Sequence, residues 1–302
     1  MTTERPEVKS TFASVAPWLF VFLWSTGFIV ARYATDDADP LSFLAARLFI
    51  AALILGAIAI ISGAPRPSLS QSKWSIVVGF GIHATYLGGV FIAIDLGLPS
   101  GVGALVGGLH PVITAIVGGA LLGERLSSRQ WLGVVLGFSG VVLVVIERLT
   151  NNSLNLPLRA VIAVSIATLG MSVGTLIQRQ RCATTPLLWG SAIQYSGSAI
   201  LLAIAAGLAG QTDLTLTKNT VWSLVWSVGV LSIAAVLTML WLLQHRAAAS
   251  VSSLFFLVPA LSAIEAAILF NEQLNATAIA GFIVAIIGVA LVTRAPRTAA
   301  GR

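Results

Sequence analysis

Long apolar stretches separated by short polar connections follow one another along almost the whole chain of 302 residues. A helix needs about 20 apolar residues to cross the ~30 Å hydrocarbon core of a bilayer, whereas membrane-spanning strands are shorter and alternate in polarity. The pattern therefore predicts an all-α integral membrane protein with ten transmembrane helices. We place these spans at about residues 14–34, 40–62, 73–95, 99–122, 129–147, 157–178, 186–209, 220–243, 247–270 and 276–294.

The second half of the chain repeats the first. Residues 109–144 align without a gap on residues 257–292, at an offset of 148 positions. The alignment pairs Pro111 with Pro259, Glu124 with Glu272, Gly133 with Gly281, and Gly140 with Gly288. Similar offsets continue upstream, so we expect two units of five helices, residues 1–150 and 151–302, which together form one transmembrane domain.

The orientation of the two units follows from the number of spans in each. Because five is odd, the second unit must enter the membrane from the opposite side, which makes the units inverted repeats. The connections on the side of the termini carry twelve Lys or Arg residues and the other connections carry four. This bias predicts that both termini are cytoplasmic. Inverted repeats are typical of secondary transporters, which bind substrate near the midplane of the bilayer.

Composition and motifs exclude several other classes. Charged residues make up 9% of the chain, against about 25% in soluble domains. The net charge of +6 is spread over short loops, so we expect no nucleic-acid partner. Cys182 is the single cysteine and cannot build a thiolate metal site alone, so no metal is expected. The chain has no nucleotide-binding, HExxH or GxSxG motif, which predicts neither an enzyme nor a cofactor.

Several segments carry a resemblance to a known family. They are FLWSTGF at 22–28, PLSFLAARLFIAALIL at 40–55, GERLSSRQWLGVVLGFSGVVLV at 123–144 and NEQLNATAIAGFIVAIIGVALV at 271–292. In this order they resemble the EamA-type transporters of the drug/metabolite transporter superfamily. Within it, the chain is most similar overall to the YddG aromatic amino-acid exporters. The resemblance implies a central cavity walled mainly by spans one, three, four, six, eight and nine. The second copy departs from the pattern, because Asn271 stands where the first has Gly123.

Polar and aromatic side chains inside the predicted spans are the candidates for substrate binding, because a polar group in the bilayer needs a partner or a cavity. His83 and Tyr86 share one face of span three, and His110 lies beside Pro111 in span four. For each of these polar residues a hydrogen bond between helices is the structural alternative. The candidates are Trp24, His83, Tyr86, His110, Phe255 and Ser262.

Two charged residues lie well inside the predicted spans. Glu265 in span nine has no cation near it in the sequence, so it is either protonated or a site for proton coupling or a substrate amine. Arg47 lies about two turns into span two, where we favour a structural role. Glu124 and Glu272 follow their spans and are expected to fix turns rather than bind substrate.

These observations predict a multi-pass transporter of the cell inner membrane. We expect it to export small metabolites, foremost aromatic or apolar amino acids, by alternating access around a midplane cavity. The alternative is a broad-specificity exporter of drugs or nucleoside metabolites with the same fold. Proton-coupled and uncoupled transport both fit the sequence. The expected partners are the small-molecule substrate and the lipid bilayer, and no oligomer is required.

Overall fold

The structure, a computed structural model, describes residues 11–122, 127–150, 157–245, 254–255, 257–271 and 275–293. Within these ranges the chain is helical, and the one extended pairing is an isolated bridge between Ala38 and Leu214. We number the helices α1 to α10 along the chain. They are α1 (Thr11–Thr35), α2 (Pro40–Ile61), α3 (Leu69–Asp95), α4 (Ser100–Gly107 and His110–Leu122), α5 (Ser128–Thr150), α6 (Leu158–Arg181), α7 (Leu187–Ala209), α8 (Lys218–Trp226, Ser227–Ala235 and Val236–His245), α9 (Val258–Phe270) and α10 (Ala276–Thr293).

Most of these helices suit a bilayer. Seven of the described helical stretches are long and apolar enough to cross a membrane, and three shorter apolar ones accompany them in α5, α9 and α10. Large apolar side chains such as Trp18, Ile61 and Leu208 are exposed on the outside of the bundle. Lipid tails tolerate such a surface, whereas water does not. The helix content and the membrane-spanning stretches of the described residues confirm the prediction of an all-helical, multi-pass membrane protein.

Local sequence signals set the helix boundaries. Ser68 and Gln71 form a capping box at the start of α3, and Pro40 occupies the first turn of α2, where its missing donor has no cost. Asn271 ends α9 in the left-handed conformation, with φ of 54°. Asn and Gly are the residues that best tolerate this conformation at a helix end. Asn271 therefore suits the backbone conformation at this helix end.

Two of the helices change their winding near the middle. In α3, residues Phe80–Thr85 are π-helical, and in α8 the segment Ser227–Ala235 is π-helical. These segments occupy equivalent positions of the sequence repeat. The wider π turn re-aims side chains within a continuous helix and often occurs at functional sites.

The prolines of α4 and α9 lie at helix starts rather than inside bent helices. The first segment of α4 ends at Gly107 and a new segment begins at His110, which places Pro111 in its first turn. Pro259 is the second residue of α9. A proline at the start of a helix lacks only a donor that the helix does not use.

Packing between helices follows the sequence repeat. α2 packs on α7, α4 on α9 and α5 on α10, and each pair joins equivalent helices. At the α5–α10 contact, a Cβ on Gly133 would lie 2.6 Å from the carbonyl oxygen of Gly288, and one on Gly140 would lie 2.5 Å from that of Gly281. Because the repeat pairs Gly133 with Gly281 and Gly140 with Gly288, the two contacts are images of each other. Small residues let the two backbones approach this closely.

Candidate functional site

A cavity of about 740 Å³ lies between the helices of the two halves. Its lining comes from α1, α3, α4, α6 and α8 together with Phe255, as the resemblance implied, and also from α2, α7 and single residues of α5 and α10. The residues that matter most for its chemistry are Trp24, Arg47, His83, Tyr86, His110, Gln178, Arg179, Gln194, Tyr195 and Phe255. The cavity is therefore shared between the halves rather than contained in either.

The cavity extends from the middle of the bundle to one end. Gln130 near the start of α5, Arg179 near the end of α6, Leu187 at the start of α7 and Val292 near the end of α10 all line it. Arg179 and Leu187 are exposed. On α6 and α7, the lining residues belong only to the halves of the helices nearest this end. The cavity thus has a mouth where α6 ends and α7 begins.

At the other end of the bundle, two loops from different halves are joined by hydrogen bonds. The Asp39 amide donates to the Asp213 carbonyl at 3.0 Å, and the Asp213 amide donates to Asp39 Oδ2 at 2.9 Å. The Thr217 hydroxyl donates to Asp37 Oδ2 at 2.7 Å. We call these bonds, with the Ala38–Leu214 bridge, the loop latch. The latch holds the two halves together at the end away from the cavity mouth.

Three predicted residues form an aromatic cluster on the cavity wall. The rings of Trp24 and Phe255 meet edge to face with centroids 5.2 Å apart, and His110 meets Phe255 at 6.2 Å. Phe20 supports both Trp24 and Phe255 from behind, at 5.3 Å and 5.1 Å. Edge-to-face pairs of this kind are favourable and hold the rings in defined orientations. Residues far apart in the sequence thus come together as one aromatic surface.

His83 and Tyr86 also line the cavity, at and just after the π-helical turn of α3. His83 Nε2 lies 3.2 Å from Gln194 Oε1, a distance that fits a donated N–H, and its ring contacts Tyr195 edge-on at 4.6 Å. Gln194 in turn donates to Gln178 Oε1 at 3.0 Å. A polar chain from α3, α6 and α7 therefore runs along the wall.

Tyr86 reaches across to α4. A Cβ on Gly107 would lie 3.1 Å from the Tyr86 hydroxyl oxygen. Gly107 therefore leaves the space that the phenol occupies. The hydroxyl lies where α4 is interrupted, next to the helix start at His110.

Arg47 is a cavity residue that the sequence did not identify as one. Its side chain is 6% exposed, and its Nε donates to the Ser232 hydroxyl at 3.4 Å. Tyr195 is near enough to interact with it electrostatically. The sequence showed a charge deep in an apolar helix, which is a signal of function in membranes. It did not show whether the charge faces a neighbouring helix or a cavity.

Ser262 and Glu265 are not among the residues that line the cavity; they lie at the contact between α1 and α9. The buried Ser262 hydroxyl donates to the Ser25 carbonyl at 3.0 Å. The Ser25 hydroxyl lies 2.6 Å from Glu265 Oε1 and 2.9 Å from the Phe22 carbonyl. The other Glu265 oxygen is buried and has no hydrogen-bond partner in the described part of the chain.

Glu124 and Glu272, which we expected to fix turns, fall outside the described residues.

No group of three or more His, Cys, Asp or Glu side chains in the described ranges is placed to hold a metal ion. The chemistry that the lining offers is aromatic contact, neutral hydrogen bonding and positive charge. Together these suit noncovalent binding of a small organic molecule.

Comparison with known proteins places the chain among transporters. The profile described as EamA-like transporter family matches residues 14–146 and again residues 158–294. A protein of Salmonella typhimurium named "Probable amino-acid metabolite efflux pump" is 25% identical over 281 residues, which cover 90% of this chain and 91% of that protein. The Bacillus subtilis "Uncharacterized transporter YvbV" is 26% identical over 282 residues, or 90% and 88% of the two chains.

A further relative and one solved structure extend this similarity. The Escherichia coli "Uncharacterized inner membrane transporter YedA" is 24% identical over 192 residues, covering 63% of this chain and 60% of that protein. A crystal structure with 19% sequence identity superposes with a TM-score of 0.63 and covers 94% of this chain and 96% of its own. At that identity the likeness concerns the fold alone.

Proposed function

Because this chain belongs to the EamA-like transporter family, we propose that it exports small metabolites, foremost aromatic or apolar amino acids, by alternating access around the shared cavity. The family is one of transporters, and the expectation that the chain is not an enzyme is confirmed by its membership. The similarity to an amino-acid metabolite efflux pump and to an inner membrane transporter supports both the substrate class and a location in the inner membrane.

The observation that carries the proposal is the cavity itself. Its volume of about 740 Å³ lies within the range of ~300–1,000 Å³ that is usual for small-molecule sites. The aromatic cluster of Trp24, His110 and Phe255 would stack on an aromatic or apolar side chain. His83 and Tyr86 would hydrogen-bond its polar groups. Ser262, which the sequence also placed in the site, would act indirectly by holding α9 against α1.

The proposed architecture consists of ten transmembrane helices in two inverted repeats, residues 1–150 and 151–302, with both termini in the cytoplasm. Three observations support it: the family profile matches twice, equivalent helices pack on each other, and the glycine contacts of α5 and α10 are reciprocal. Reciprocal contacts are what a two-fold axis between the halves produces. Such an axis in the membrane plane is the basis of alternating access in many transporters.

The position of the cavity mouth suits an exporter in its inward-open state, which can bind substrate from the cytoplasm. The bias of Lys and Arg puts the α6–α7 connection on the cytoplasmic side, so the mouth would face the cytoplasm and the loop latch the outside. Export then requires the latch to open and the mouth to close while the substrate is bound. Both movements shift one half of the chain against the other.

A broad-specificity exporter of drugs or nucleoside metabolites remains the second candidate. Met171 and Met239 line the cavity, and flexible methionines adapt to ligands of different shape. Competition by chemically unrelated cations would favour this candidate over the amino-acid exporter.

Counterflow in proteoliposomes tests the proposal. Purified protein is reconstituted into vesicles loaded with unlabelled phenylalanine, and the entry of radiolabelled phenylalanine is followed against protein-free vesicles. We expect saturable entry that tryptophan and leucine inhibit and that lysine and cationic drugs do not. No protein-dependent flux of any amino acid would remove the proposed substrate class.

A further inference from the structure

The charges that line the cavity are of one sign. Arg47 and Arg179 face it together with the two histidines His83 and His110, and none of its described lining residues is an Asp or Glu. Glu265, which the sequence offered as a possible site for a substrate amine, lies in the α1–α9 contact instead. The cavity therefore offers cations and hydrogen bonds, and it offers no described acid to a ligand ammonium.

Arg47 differs from Arg179 in its depth. Arg179 is exposed near the mouth, whereas Arg47 is buried on α2 between fully buried Leu44 and Leu48. Removing a guanidinium from water has a high free-energy cost unless charge or hydrogen bonds replace the water. In the described chain, Arg47 has a single hydrogen bond, from Nε to Ser232, so its terminal nitrogens have no protein acceptor.

The neighbours of Arg47 hold it in place without neutralising it. Ser232, from the π-helical segment of α8, accepts from Nε at 3.4 Å. Tyr195 lies beside it and itself packs against His83. Neither Ser232 nor Tyr195 is a carboxylate, so neither supplies a negative charge that would neutralise Arg47. A planar guanidinium whose terminal nitrogens still have free donors matches the two oxygens of a carboxylate.

We propose that Arg47 binds the carboxylate of the transported molecule and that this carboxylate, rather than the amino group, is the polar feature the cavity selects. The ligand class is a monocarboxylic acid with an aromatic or apolar tail, with or without its α-amino group. The tail contacts the aromatic cluster of Trp24, His110 and Phe255. This inference rests on the proposed function and narrows its substrate class. It predicts that deaminated acids are ligands and that amines are not.

A ligand series on the wild-type protein tests this assignment without any substitution. The series is phenylalanine, 3-phenylpropionate, phenylalaninamide and phenethylamine, and the readouts are thermal stabilisation of the purified protein and inhibition of phenylalanine counterflow. Ligands that bind the folded state raise its unfolding temperature. We expect stabilisation and inhibition by the two acids, and at least ~30-fold weaker binding of the amide and the amine. Equal binding of acids, amide and amine would overturn the proposal.

Substitutions then locate the contact. Arg47→Gln should weaken binding of 3-phenylpropionate by about 30-fold or more and leave phenylalaninamide nearly unchanged. Arg47→Lys keeps the positive charge but loses the planar pair of N–H donors that can bind both carboxylate oxygens, so it should restore binding only in part. Arg159→Gln is the matched control, because it removes an exposed cation at the start of α6, far from the lining. If Arg47→Gln folds and binds both acids like the wild type, Arg47 is not the carboxylate site.

Failure of this inference can be told from failure of the proposed function. If phenylalanine is transported but the amine competes as well as the acid, only the carboxylate site is overturned. If no member of the series is transported and none stabilises the protein, both the carboxylate site and the amino-acid exporter are overturned.

Discussion

His83 shows how one residue depends on the winding of its helix. The π-helical turn of α3 places its ring between Gln194, at 3.2 Å, and Tyr195, at a centroid distance of 4.6 Å. Both neighbours belong to α7, so His83 connects the polar chain of the wall to the cavity. An ordinary α-helical turn would change the direction of this ring relative to Tyr86.

Replacing His83 tests its part in binding. We expect His83→Ala to raise the KM of phenylalanine counterflow by about tenfold. The substitution removes the proposed hydrogen bond from His83 to the substrate, and leaving a buried polar group without its partner typically costs ~1–3 kcal/mol. His83→Gln keeps a side-chain amide that can reach Gln194, and it should retain most of the affinity. A KM unchanged by His83→Ala would assign the residue to helix packing alone.

Glu265 joins the two halves through Ser25. A serine hydroxyl has one proton, yet Ser25 Oγ lies within hydrogen-bond distance of both Glu265 Oε1 and the Phe22 carbonyl. Both bonds form together when Ser25 donates to Phe22 and a protonated Glu265 donates to Ser25. Loss of that proton would turn the single Ser25 proton toward the carboxylate and away from the Phe22 carbonyl, so the bonding between α1 and α9 depends on the protonation of Glu265. This is the physical basis for proposing Glu265 as the coupling residue.

Glu265→Gln tests the coupling role. The amide can donate to Ser25 as the protonated acid does, so folding and counterflow should be retained. Transport driven by a pH gradient should lose its dependence on that gradient, because the amide does not exchange a proton. The measurement is accumulation in proteoliposomes with and without an imposed gradient. Gradient-driven accumulation in the variant equal to that of the wild type would contradict the role.

The sequence predicted some of these residues and missed others for a physical reason. A histidine or tyrosine in an apolar helix is conspicuous, and His83, Tyr86 and His110 do line the cavity. The direction in which a side chain points depends on packing between distant helices. The sequence therefore did not distinguish Arg47, which faces the cavity, from Glu265, which faces α1.

At the scale of elements, the contact between α5 and α10 depends on glycine. A Cβ on Gly140 would lie 2.5 Å from both the Ala285 amide nitrogen and the Gly281 carbonyl oxygen. Both are backbone atoms of a helix and cannot move aside without separating α5 from α10. The sequence repeat identified these glycines as matched pairs, and their reciprocal contact explains why both copies have them.

Gly140→Ala should therefore destabilise the protein. Overpacking at a tight contact typically costs about 1–3 kcal/mol, and we expect a lower unfolding temperature in detergent by thermal denaturation. Gly56→Ala in α2 is the matched control, because its Cβ would meet nothing within 4 Å. That variant should be as stable as the wild type or slightly more stable. Equal unfolding temperatures for the two variants would contradict the close packing.

The helix boundaries were more predictable than the interruptions within helices. Apolar length and proline positions predicted where α2 and α7 begin, since both signals are local. The π-helical segments in α3 and α8 have no comparable local signature. Pro111 alone does not predict the break at Gly108 and Leu109, because a proline in an apolar run suits either a kinked helix or a new helix start.

At the scale of the whole molecule, the cavity and the loop latch occupy opposite ends of one bundle. The latch joins Asp37, Ala38 and Asp39 of the first half to Asp213, Leu214 and Thr217 of the second. The mouth is lined by the ends of α6 and α10 and the starts of α5 and α7. Opening the latch and closing the mouth both require the halves to move against each other. In the proposed mechanism of alternating access, the two similar halves would exchange these arrangements.

Substrate-protected labelling of one cavity position tests this account most directly. Thr175 lines the cavity and Thr212 lies exposed in the loop of the latch, so each is changed to Cys in a Cys182→Ala background. A membrane-impermeant maleimide is applied to either face of sealed vesicles, with and without saturating phenylalanine. We expect Thr175→Cys to react from the cytoplasmic face and to be protected by phenylalanine, and Thr212→Cys to react unprotected from the other face. Reaction of both from the same face, or no protection of Thr175→Cys, would contradict a substrate cavity that opens to the cytoplasm.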